Sequence, residues 1–66
     1  MPTDADRLVA ASLVDALREM GMAEVSVKPH DGHGWEVEYL EPSGCVVSFI
    51  GPDLDALAEA IMECLG

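Results

Sequence analysis

Apolar residues recur along the first twenty positions with the period of a helix. At about 100° per residue, Val9, Ala10, Leu13, Val14, Ala16, Leu17 and Met20 fill one broad arc, while Arg7, Ser12, Asp15, Arg18 and Glu19 fill the other. Leu8 is the exception, an apolar side chain on the polar arc. Thr3 is placed to cap this helix, with Asp6 three residues on as a short variant of the capping box, and Asp4 suits the positive end of the helix dipole. These signals predict a helix over about 3–21, closed by Gly21.

The period then changes from 3.6 to 2. Val25 and Val27 alternate with Glu24, Ser26 and Lys28, which predicts a strand over about 23–28 that Pro29 stops. His30-Asp31-Gly32-His33-Gly34 reads as a loop. Trp35, Val37 and Tyr39 alternate with Glu36 and Glu38 in a second strand over about 35–41, and a third follows over about 45–50. Between them, Glu41-Pro42-Ser43-Gly44 has Pro second and Gly last, the pattern of a type I turn with a glycine bulge. That turn pairs Glu41 with Cys45, Tyr39 with Val47 and Val37 with Phe49. One sheet face then collects Trp35, Val37, Tyr39, Val47 and Phe49, and the other holds Glu36, Glu38 and Ser48 together with Leu40, Val46 and Ile50. A last helix over about 52–65 opens at Gly51-Pro52-Asp53, with Pro in the first turn. Leu54, Leu57, Ala58, Ile61 and Leu65 share its apolar arc, Cys64 lies at the margin, and Asp55, Glu59 and Glu63 line the opposite side.

The element order is α-β-β-β-α. It predicts a two-layer α+β domain, one unit over residues 1–66, with a three-stranded antiparallel meander and both helices on one face. The order is similar to that of double-stranded-RNA-binding domains, whose last helix begins with a lysine cluster. Here that position reads Pro52-Asp53-Leu54-Asp55, so the likeness is one of topology and the charge contradicts the function.

Composition bears this out. Three Lys plus Arg against 13 Asp plus Glu give a formal net charge of -10, which argues against direct binding to nucleic acid or to an anionic membrane surface. With half of the residues apolar and a mean hydropathy of +0.23, disorder is a poor reading. No apolar run nears the roughly 18 residues of a membrane span and the first residues are acidic, so a cytoplasmic location is the expectation.

The chemistry-bearing residues are few. His30 and His33, with Asp31 and Asp53 and with Asp4, Asp6 or Asp55 near the same sheet end, form an imidazole and carboxylate set suited to Zn²⁺ or Mn²⁺, although loop histidines are more often simply solvated. Cys45 and Cys64 fall at the opposite end, where two small buried hydrophobes are the simpler reading and a thiol pair the sharper one. No nucleophile motif surrounds Ser12, Ser26, Ser43 or Ser48, and Glu36 and Glu38 project from an open face with no cleft around them. An enzyme is therefore not expected, and no cofactor beyond a possible divalent metal.

Two patterns point outward instead. Asp55, Glu59 and Glu63 repel one another at four-residue spacing, so helix stability does not account for them; a basic partner or a generally acidified surface does. Cys45-Val46-Val47-Ser48-Phe49-Ile50 carries neither charge nor Pro, yet in a meander it is an edge strand, which proteins normally protect. The reading is a small acidic interaction or regulatory module that self-associates as a homodimer through the third strand, with Leu40, Val46, Ser48 and Ile50 at that contact and Asp55, Glu59 and Glu63 toward a basic protein. The alternatives are a divalent-metal-binding protein using the His30/His33 loop, a DNA-mimic inhibitor of a basic nucleic-acid-binding protein, and a small-ligand binder reported by Trp35.

Overall fold

The structure is a computed structural model that describes residues 3–30, 32 and 34–65. Five elements follow in the expected order: α1 Asp4–Glu19, β1 Ala23–His30, β2 Gly34–Leu40, β3 Val46–Gly51 and α2 Leu54–Leu65. The strands form one antiparallel sheet in the order β1-β2-β3. Both helices cover the same face, α1 over β1 and α2 over β2 and β3, which makes the two-layer α+β domain that the periodicity predicts.

The core is where the two helical stripes meet the sheet. Leu13 and Leu17 from α1, Val37 and Tyr39 from β2, and Leu54, Leu57 and Ile61 from α2 are buried, with Val25, Val27, Trp35, Val47 and Phe49 packed around them. Tyr39 and Phe49 lie diagonally on adjacent strands with ring centroids 6.4 Å apart in a stacked arrangement.

Local signals set the element ends. Thr3 Oγ1 accepts from the Asp6 N–H and the Asp6 carboxylate accepts from the Thr3 N–H, both at 3.1 Å, so the short capping box forms. At the other end of α1, Gly21 adopts φ +91; its N–H donates to the Arg18 carbonyl and the Met22 N–H donates to the Leu17 carbonyl, a Schellman closure. The helix therefore ends at Glu19, with Met20 as its exposed cap rather than a member of the apolar arc.

Three local expectations are corrected. Pro29 does not stop β1, which continues to His30; Pro29 pairs with Trp35 on an edge strand with its nitrogen facing away from β2, where no N–H is needed. His30 and Gly34 consequently belong to strands rather than to the loop. Gly51 is the last residue of β3, opposite Trp35, and α2 begins only after Asp53, whose Oδ1 accepts from the Asp55 N–H at 3.1 Å; Pro52 precedes that cap instead of occupying the first turn. The alternation of β1 also hides a bulge between Ala23 and Ser26, with Glu24 at φ +50.

Candidate functional site

The turn between β2 and β3 fixes which groups the third strand shows to solvent. The Gly44 N–H donates to the Glu41 carbonyl at 2.9 Å, the Glu41 N–H donates to the Cys45 carbonyl at 2.8 Å, and Gly44 stands at φ +94, so the bulged turn forms as expected. Antiparallel pairs alternate between hydrogen-bonded and non-hydrogen-bonded. Starting from Glu41 and Cys45, the bonded pairs are Tyr39 with Val47, Val37 with Phe49 and Trp35 with Gly51. Val46, Ser48 and Ile50 therefore direct their N–H and C=O groups off the edge of the sheet, and the same three place their side chains on the face opposite the helices.

That face is mixed along its length. Leu40 pairs with Val46, Glu38 with Ser48 and Glu36 with Ile50, while on β1 Lys28 reaches Glu36 at 3.5 Å. Val46 is 67% and Ile50 57% exposed, so two branched apolar side chains of this row stand in water on either side of Ser48. The two sheet edges differ. β1 carries Lys28, Pro29 and a bulge, whereas β3 has no charge, Pro or bulge within its span.

A second feature lies on the other side of the molecule. Between α1 and α2 runs an open groove of about 380 Å³ with Leu8, Ser12 and Ala16 on one bank, Ala58 and Met62 on the other, and Leu13 beneath. Its floor and walls are almost wholly apolar. The small side chains Ser12, Ala16 and Ala58 create it, because nothing at those positions is large enough to close the gap between the helices. Leu8, 71% exposed, is explained by it: the side chain stands on the bank of the groove rather than on a plain polar face.

The residues expected at a site separate as follows. Leu40, Val46, Ser48 and Ile50 share the open sheet face. Asp55, Glu59 and Glu63 are exposed on α2. His30 is exposed at the end of β1, and Asp53 uses a carboxylate oxygen to cap α2; Asp31 and His33 lie outside the described residues. Among the described residues, no three metal-ligating side chains gather. Cys45 and Cys64 are free thiols, and both are exposed, which corrects the expectation of buried hydrophobes: Cys45 precedes β3 in the turn, and Cys64 lies off the buried stripe of α2. Cys64 and Glu41 do approach Tyr39, whose phenol pKa is raised above the usual 10.0, first by burial and then by these two neighbours.

No protein-family model, curated protein or solved structure matches the chain.

Proposed function

We propose that this protein is a non-catalytic interaction module that pairs with a second copy of itself through β3. The observation that carries this reading is the coincidence of two properties in Val46, Ser48 and Ile50, whose backbone groups are directed off the sheet and whose apolar side chains, Val46 and Ile50, are exposed beside them. An antiparallel two-fold pairing centred on Ser48 sets Val46 of each copy opposite Ile50 of the other and satisfies about six backbone hydrogen bonds, two per bonded pair. The register is self-complementary: serine meets serine, and each exposed valine meets an isoleucine.

Charge supports the same edge. A chain of net charge -10 repels its own copy, and β3 has no carboxylate to bring into the contact. One strand edge gives an interface at the small end of specific contacts, under about 1,200 Å², so the expected dissociation constant is on the order of micromolar. Added salt screens the repulsion and tightens this pairing, the opposite of its effect on a contact between unlike charges. Light scattering after size-exclusion chromatography from low to high micromolar concentration tests it. A dimer that grows with protein and salt concentration and is lost in Ile50→Lys supports the reading; a monomer throughout, or a dimer indifferent to Ile50→Lys, overturns it.

A further inference from the structure

The groove between the helices has a rim of one sign. On α1, Asp15 lies three residues beyond Ser12 and Glu19 three beyond Ala16, which sets both on the outer side of the Leu8, Ser12 and Ala16 bank. On α2, Asp55 lies three residues before Ala58 and Glu59 three before Met62, on the outer side of the opposite bank. All four carboxylates are exposed, and among the described residues the ion pair formed is Lys28 with Glu36, on the far side of the sheet. The two arginines of α1 stay away from the groove: Arg7 and Arg18 fall in the row that runs through Val14. An apolar trough with acidic banks on both sides is thus built on a scaffold of two helices.

From this arrangement we infer that the groove receives an amphipathic helix with a basic polar face, supplied by another protein. Leu8 and Ala16 are eight residues apart, about 12 Å along the helix axis, which matches the span of anchors at i, i+4 and i+7 on an incoming helix. Its apolar anchors occupy the trough, and lysines or arginines flanking them meet Asp15 and Glu19 on one bank and Asp55 and Glu59 on the other. A second copy of this chain is not the occupant, because its helices would bring carboxylates against carboxylates. This contact uses the opposite face from β3 and is independent of the pairing proposed above.

The probe is a fluorescein-labelled 18-residue peptide of leucine and lysine arranged as one apolar and one basic helical face, titrated by anisotropy. Controls are the same composition scrambled and the same pattern with glutamate for lysine. Wild type binds the patterned basic peptide in the micromolar range, more weakly as salt rises, and Val46→Ser binds it equally. Ser12→Trp, at an exposed position, fills the trough and weakens binding at least tenfold. The combined Asp15→Asn, Glu19→Gln, Asp55→Asn and Glu59→Gln variant weakens it and flattens its salt dependence. Three results overturn the inference: equal binding of the scrambled peptide, equal binding of the glutamate peptide, which marks the groove as an uncharged-ligand site, or no effect of Ser12→Trp.

Discussion

The Glu41 N–H donates to the Cys45 carbonyl at 2.8 Å, and this bond determines which residues of the third strand offer their backbone to solvent. Moving the pairing by one residue would turn Val47 and Phe49 outward and leave Val46, Ser48 and Ile50 against α2. Gly44 makes the bond possible by taking φ +94, a conformation that costs an L-residue roughly 1–2 kcal/mol. Nothing lies within 4 Å of where its Cβ would stand, so Gly44→Ala tests the backbone alone. Urea unfolding of that variant is expected to show a loss of this size, while a neutral result would remove the turn from its controlling role.

Gly51 and Leu57 form a second constraint. A Cβ on Gly51 would stand 3.1 Å from Leu57 Cδ2, so α2 rests on the end of β3 closely enough that any side chain there forces the packed Leu57 to give way. Gly51→Ala is expected to cost about 1–3 kcal/mol as overpacking. The same change in a Leu57→Ala background should cost clearly less, because the obstructing atoms are gone, and a double-mutant cycle with no coupling would contradict the account.

Much of this was legible in the chain. The periods of 3.6 and 2 identify all five elements, and the Glu41-Pro42-Ser43-Gly44 turn yields the register of β2 and β3, because a bulge flips every side chain beyond it and only one choice separates polar from apolar. The extension of β1 through Pro29 was not legible, since proline reads as a strand stop until the residue is known to sit on an edge with its nitrogen outward. The bulge at Glu24 left no mark either, because Val25 and Val27 alternate regularly with Ser26 and Lys28, and Ala23 before it is too small to reveal the change of face. The edge residues Val46, Ser48 and Ile50 could be found from topology. The groove could not: it depends on the separation of two helices distant in sequence, and the available hints were Leu8 off its arc and the small residues Ser12, Ala16 and Ala58.

Tyr39 gives the fold an alkaline limit. Burial, then Glu41, then Cys64 raise its pKa in the folded state above the 10.0 of the unfolded chain, so folding favours the neutral phenol. Its contribution is fully present below pH 10, and stability falls as pH rises from 10 through the folded-state value. Tyr39→Phe should leave stability near neutral pH little changed and make the decline above pH 10 shallower; denaturant midpoints across that range measure both.

Glu59 sits between Asp55 and Glu63 at four-residue spacing, so Glu59→Lys replaces two repulsions with two attractions at roughly 0.2–0.5 kcal/mol per pair. The variant is expected to melt higher by a few degrees at low salt, with the gain fading as salt is added. It should at the same time lose affinity for the basic amphipathic peptide. A variant both more stable and better at capture would contradict the role assigned to the acidic bank.

Disulfide trapping reads the two-fold register about Ser48. In a background of Cys45→Ser and Cys64→Ser, Ser48→Cys sets two thiols across the axis in a bonded pair with Cα atoms about 5.5 Å apart, within disulfide reach. Val46→Cys in the same background leaves its thiols about 13 Å apart, four residues along the strand at about 3.3 Å each. Mild oxidation at tens of micromolar should convert Ser48→Cys to a covalent dimer well ahead of Val46→Cys. Equal cross-linking of the two, or none in either, would contradict the pairing of β3 with its copy.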